Sequence, residues 1–265
     1  MNLLRNELNK NKKSLISFTL VMCVMAILTF LFYPSISNNK LEITKFINSL
    51  PNGLKVTLGI DLKTCFTPLG YYAVMFIIIS LVAGLFAIYI GYNNMSYDKR
   101  NNSHQFYYIK PIKRTKIVST KTISIFISLL ISNLVYHLCT ILMVLLVKTN
   151  NPISLLTLFQ INSSLFLLES ILAIMGMLIG VINKKSKTSI IPSLIIWLVF
   201  VVIMVFEKIF SLTLLQYINP LSYFTVTDII NTGKYQYRFI TISVFILFFL
   251  YSFIVGIYEN EEILD

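Results

Sequence analysis

Charge is scarce in this sequence, and acid is scarcer than base: 22 Lys and Arg and 11 Asp and Glu leave only 12% of 265 residues charged. Against 56% hydrophobic residues, that is too little charge for a soluble domain of ordinary composition. Cysteine is nearly missing. Cys23, Cys65 and Cys139 are the three, and no CxxC or Cys/His ligand spacing accompanies them. That excludes a disulfide framework and a zinc site. The two histidines, His104 and His137, are far apart in sequence, and Glu261 and Glu262 sit in a tail with no histidine near. No acid–base constellation converges on one reacting atom, which speaks against an intramembrane protease or lipid-modifying enzyme. A GxxxxGK[ST] phosphate loop is also absent. The only Gly-Lys pair is Gly233-Lys234, followed by Tyr235, so this chain has no ordinary ATP site of its own. The net charge of +11 raises nucleic acid as a partner, but the basic residues flank apolar runs rather than lining one face, which favours lipid.

What the chain has in abundance is long apolar runs. Six of them, at about 14–33, 71–92, 118–147, 160–182, 189–206 and 239–257, are read as transmembrane helices of a single all-α membrane domain covering 1–265. The first follows a basic start, but it ends in Tyr33-Pro34 without a small-residue cleavage site, so it is a span and not a secretory signal. Residues 1–13 place Leu3, Leu4 and Leu8 on one helical face beside Arg5, Lys10, Lys12 and Lys13, which predicts an interfacial helix. The run at 118–147 is about 45 Å long as a helix, more than the hydrocarbon layer, so its start with Lys121 is expected to project from the lipid.

Between spans one and two, Ile43, Phe46, Ile47 and Leu50 follow an amphipathic helical spacing that Pro51-Asn52-Gly53 breaks. Between the last two spans, 209–224 is mostly apolar yet interrupted by Asn219-Pro220, which predicts a re-entrant or interfacial hairpin. Small residues share helical faces in two spans: Ser80, Gly84, Ala87 and Gly91, and then Ala173, Gly176 and Gly180. Such faces predict close helix packing. Glu169 lies on the second of these faces. A mid-span carboxylate must face the bundle or a wet cavity. It lines a substrate pathway or holds helices together through Ser128, Asn133 or His137. Asn133 and His137, at i and i+4, form either a proton relay or interhelical hydrogen bonds. Ser124, Ser128 and Ser132 form a stripe expected to bond back to their own helix.

The segment 92–121, YNNMSYDKRNNSHQFYYIKPIKRTKIVSTK, collects Lys99, Arg100, Lys110, Lys113, Arg114, Lys116 and Lys121 between two spans. Cytoplasmic loops gather Lys and Arg. With both termini inside, fourteen Lys and Arg fall on inner segments and eight on outer ones, which predicts cytoplasmic termini. Asp98, Asn102-Ser103, Phe106-Tyr107-Tyr108, Lys110-Pro111-Ile112, Arg114, Lys116-Ile117-Val118 and Lys121 resemble the cytoplasmic segment of ABC-2 type transporter permeases. Asn102 stands where glycine is usual in that family, Gln105 where an acid is usual, and Lys113 where a small residue is usual.

The resemblance extends over essentially the whole chain and implies an ABC-2, type V exporter-like permease fold. It implies a coupling loop at 93–117, whose 98–114 helix docks on a separate cytosolic ABC ATPase through Asp98, Arg100, Phe106, Tyr107, Tyr108, Pro111 and Arg114. ATP and Mg would be bound by that partner, and none by this chain. A second permease subunit, the same or paralogous, would complete the exporter in a bacterial plasma membrane, and the apolar bundle fits an amphipathic or hydrophobic cargo such as a peptide or toxin. The alternatives are an ion-coupled secondary transporter and a non-transporting immunity or sensor protein.

Overall fold

A computed structural model of the chain describes residues 2–62, 64–100, 113–147, 153–183 and 188–260. Six helices among them are long and apolar enough to cross a bilayer. They are α1 (Asn2–Asn38), α4 (Pro68–Arg100), α5 (Arg114–Leu146), α6 (Leu155–Ile182), α7 (Ile190–Phe210) and α10 (Tyr237–Glu259). The chain is a multi-pass membrane protein, and no strand occurs among the described residues. Short helices α2 (Lys40–Ser49) and α3 (Asn52–Thr57) follow the first span. Helices α8 (Thr213–Ile218) and α9 (Val226–Thr232) precede the last, separated by a 3-10 turn at Pro220–Ser222.

Each expected span overlaps one of these helices, with Val147 and Ser189 falling just outside theirs, and three helices overshoot. Helix α1 is a single element of 37 residues, so the separate interfacial helix expected over 1–13 is instead the start of the first span. Helix α4 runs on to Arg100 and α5 starts at Arg114, so the connection between them is shorter than 93–117. Residues 101–112 lie outside the described residues. Helices of this length measure about 50 Å or more, against a hydrocarbon layer of about 30 Å. The excess of all three falls at one end of the bundle, called here the connection end.

Helices α4 and α6 form the most extensive pair and the centre of the bundle. The small-residue faces meet as expected. A Cβ at Gly91 would stand 2.0 Å from the Ala173 carbonyl oxygen, and one at Gly176 2.3 Å from that of Ile88, so only glycine permits this approach. Helix α1 lies along α5, and α10 packs on α6 and α5. The outer helices turn apolar side chains outward, among them Leu20, Leu28, Leu134, Leu138, Ile195 and Val199. On α10 the rings of Phe245, Phe249 and Phe253 stack along the helix with centroids 6.3 and 6.4 Å apart. In lipid such faces need no protein cover.

The end opposite the connection is closed by the short helices. Ile47 is buried on α2, as its amphipathic spacing requires, while Phe46 stays exposed. After α7 the chain turns at Ser211 (φ 52°) and comes back toward the bundle. Asn219 makes that return possible: its Oδ1 accepts the Leu221 amide at 3.2 Å, and its Nδ2 donates to the Phe200 carbonyl at 3.0 Å. Phe200 lies about 15 Å inside the end of α7, at 1.5 Å per residue. Leu221, Ser222, Tyr223 and Phe224 are buried there, and Leu221 reaches the flank of Gly84. Burial pushes the Tyr223 phenol up from its ordinary range, and its hydroxyl donates to the Tyr217 carbonyl at 2.6 Å.

Candidate functional site

The polar residues of this bundle form three groups, and α5 carries part of each. At the connection end, Lys121 is buried rather than free in water. Its Nζ donates to the Asn94 carbonyl of α4 at 2.6 Å and lies 3.5 Å from Glu7 Oε2 of α1. Glu7 is equally buried, and its Oε1 accepts from Lys10 Nζ at 2.8 Å. Lys10 also stands 5.1 Å over the Tyr97 ring, a cation–π contact to α4. Asn94 Nδ2 donates to Ser124 Oγ at 3.3 Å. Charges removed from water need partners of this kind, or their desolvation is not offset.

Arg114 opens α5 and reaches the other terminus. Its guanidinium donates to the Glu259 carbonyl at 2.8 Å and to that of Tyr258 at 3.4 Å. A cation on the last carbonyls of α10 satisfies groups that the helix leaves unpaired and complements its dipole. Both ends of the described chain and both ends of the α4–α5 connection therefore meet. Asp98 and Arg100, expected in a coupling helix over 98–114, belong to the last turn of α4. Phe106, Tyr107, Tyr108 and Pro111 lie outside the described residues.

Midway along the bundle Glu169 is wholly buried, as its position required. Of the three partners expected, Asn133 is the one it meets: Asn133 Nδ2 donates to Glu169 Oε2 and also to the Leu129 carbonyl. Glu169 Oε1 and Asn133 Oδ1 have no hydrogen-bond partner. The serine stripe bonds back as expected, Ser124 to the Lys121 carbonyl and Ser128 to that of Ser124. Ser132 differs, accepting from Thr19 of α1 at 2.9 Å.

His137 belongs to the third group, toward the far end. Its Nδ1 is 2.9 Å from Asn162 Nδ2, and its ring stands edge-on to Phe159. Asn162 also donates to Thr140 Oγ1 at 2.8 Å and accepts from the Tyr72 hydroxyl at 2.6 Å. Tyr72 and Tyr136 share a hydroxyl contact of 2.7 Å. Asn133 and His137, paired by sequence spacing, thus serve different groups.

Glu7, Asn94, Tyr72 and Asn162 were not singled out from sequence. Glu7, the one acid in a basic N-terminal run, carried a signal; Asn162 inside an apolar run carried a second. None of these groups has the makings of a catalyst. Among the described residues no cluster of His, Cys, Asp or Glu could hold a metal, and the three cysteines are free. The arrangement joins helices.

A membrane bundle, helical among the described residues, with buried polar groups at helix junctions and both ends of its described chain beside the α4–α5 connection, fits a transport subunit. No curated protein matches the chain. A family model, that of the ABC-2 family transporter proteins, matches it over residues 1–256, nearly its whole length, and the chain belongs to that family.

Proposed function

We propose that this chain is the permease subunit of an ATP-driven ABC exporter in a bacterial plasma membrane, with both termini in the cytosol. A separate ATPase docks at the connection between α4 and α5. Asp98, Arg100, Phe106, Tyr107, Tyr108 and Pro111 form its contact, and Lys99 and Lys113 add charge for acidic groups on the ATPase. ATP and Mg belong to that partner. A second permease subunit, identical or paralogous, completes the pathway.

The observation that carries this reading is the convergence at the connection end. Three helices run past their apolar spans together there, and the Lys and Arg bias points the same end to the cytosol. A rigid stem of this kind transmits a push into the spans. The ATPase shifts the permease between inward- and outward-open states only through its different fit to the two. Arg114 acts in this scheme by fixing the end of α10 beside the connection, not by direct docking. The apolar bundle favours amphipathic or hydrophobic cargo, such as a membrane-active peptide.

An ion-coupled carrier gathers several ionisable groups at mid-membrane. Glu169 and His137 instead lie in separate groups among the described residues, which weighs against that alternative.

Purification of the tagged chain from its native membrane tests the proposal. A bound ATPase is expected, and Phe106→Asp is expected to release it or to uncouple its hydrolysis. A chain that brings down no ATPase, or a Phe106→Asp variant with unaltered binding and hydrolysis, refutes docking at this connection.

A further inference from the structure

The start of α1 is held differently from the rest of that helix. Among residues 3–13 only Glu7 and Asn11 are buried, and both are polar. Fully buried apolar side chains appear on α1 only from Met22 onward, with Ala26 and Phe30 after it. Charge therefore anchors the first turns. Glu7 lies between Lys10 at 2.8 Å and Lys121 at 3.5 Å, and Lys121 is held in turn by the Asn94 carbonyl. One lysine, two turns into α5, thus links α1 to α4 beside the connection.

Apolar contacts slide at small cost. A buried ion pair does not, because a slip parts Lys121 from the Glu7 carboxylate in a place where water does not replace it. We infer that Lys121 is a positioning residue that makes the first turns of α1 follow the α4–α5 connection, so that a push on the connection is delivered to the first span. The inference rests on the docking of an ATPase at that connection.

Spin labels read this motion directly. The native Cys23, Cys65 and Cys139 are replaced first. Cysteines are then placed at Asn9 on α1 and Phe253 on α10, and, as a second pair, at Ile123 on α5 and Phe253. All three positions are exposed. The full chain is studied with its co-purified ATPase in lipid nanodiscs, before and after Mg-ATP with vanadate.

Both distances are expected to shift in the parent complex. In Glu7→Gln/Lys121→Met, which removes both charges and strands neither, the Ile123 pair is expected to keep its shift while the Asn9 pair loses it. Lys121→Arg, with its charge kept, is expected to retain both. A double variant whose Asn9 pair still shifts overturns the inference. Loss of both shifts in that variant also overturns it, since Lys121 would then serve assembly alone. A parent complex that hydrolyses ATP and moves Ile123 but not Asn9 overturns the inference and leaves the proposed function standing. A parent chain without any bound ATPase brings down both.

Discussion

Two buried polar junctions sit near opposite ends of α5, and they are built from different chemistry. The junction at Lys121 is ionic: Glu7 and Lys121 bring charge into a place closed to water, with Lys10 half-buried beside them. The junction at Tyr136 and Thr140 is built from hydroxyls, an amide and an imidazole, in Tyr72, Asn162 and His137. Neutral groups with their hydrogen bonds made cost little to bury, whereas charges remain costly even when paired. The ionic junction lies at the connection end, where α1, α4 and α5 run past their apolar spans. The neutral one lies within the packed bundle. The first holds its helices because a displaced charge loses its partner, the second because displaced hydroxyls and amides lose theirs.

The sharpest way to break this contrast is Lys121→Ala. It leaves Glu7 buried beside a vacancy, and a loss of about 3–5 kcal/mol is expected. Thermal unfolding in detergent measures it. Glu7→Gln/Lys121→Met should recover most of that loss, because both fully buried charges go together and Lys10, which loses its carboxylate, is not fully buried; equal destabilisation in both variants would deny the junction its ionic character.

Asn162→Leu is next. It takes one partner each from the Tyr72 hydroxyl, His137 Nδ1 and the Thr140 hydroxyl, and about 2–3 kcal/mol is expected from the bonds lost. The same unfolding assay run at low and high salt should show no salt dependence here. Salt dependence equal to that of the Lys121 variants would erase the distinction between the two junctions.

Tyr72→Phe removes one hydroxyl from the neutral junction and is expected to cost about 1–2 kcal/mol. Glu169→Gln is the mildest. The amide can still accept from Asn133, so a change within about 1 kcal/mol is expected. If unfolding is unchanged but the nucleotide-driven shift of the Ile123 label is lost, Glu169 works in the conformational cycle and not in packing.

The spans were legible because an uninterrupted apolar run has one physical use at this length. The overshoots were not. Asn93 to Arg100 is polar, with no apolar period to mark it as helix, yet α4 continues through it because α1 and α5 stand alongside. The same cause hid the unity of α1, whose basic start reads like a surface segment. Glu169 could be placed in the interior from the cost of its charge, and Asn133 was among its expected partners. The Glu7–Lys121 pair could not be foreseen, since nothing local connects residues so far apart in sequence. Of the two readings of Asn133 and His137, interhelical hydrogen bonding is the one seen, with a different residue of α6 for each: Glu169 for Asn133 and Asn162 for His137.

Leu221 leaves one more consequence. It comes from a loop, yet it fills the hollow that Gly84 leaves beside Leu168 and Leu172. At that level Leu172 of α6 comes nearest, 2.9 Å from where a Cβ on Gly84 would stand, and Leu221 adds a contact at 3.4 Å from a different part of the chain. Any ligand or antibody that draws this loop away would uncover that flank of the central pair, so a binder aimed at the short-helix end has a lever on the interior without entering it.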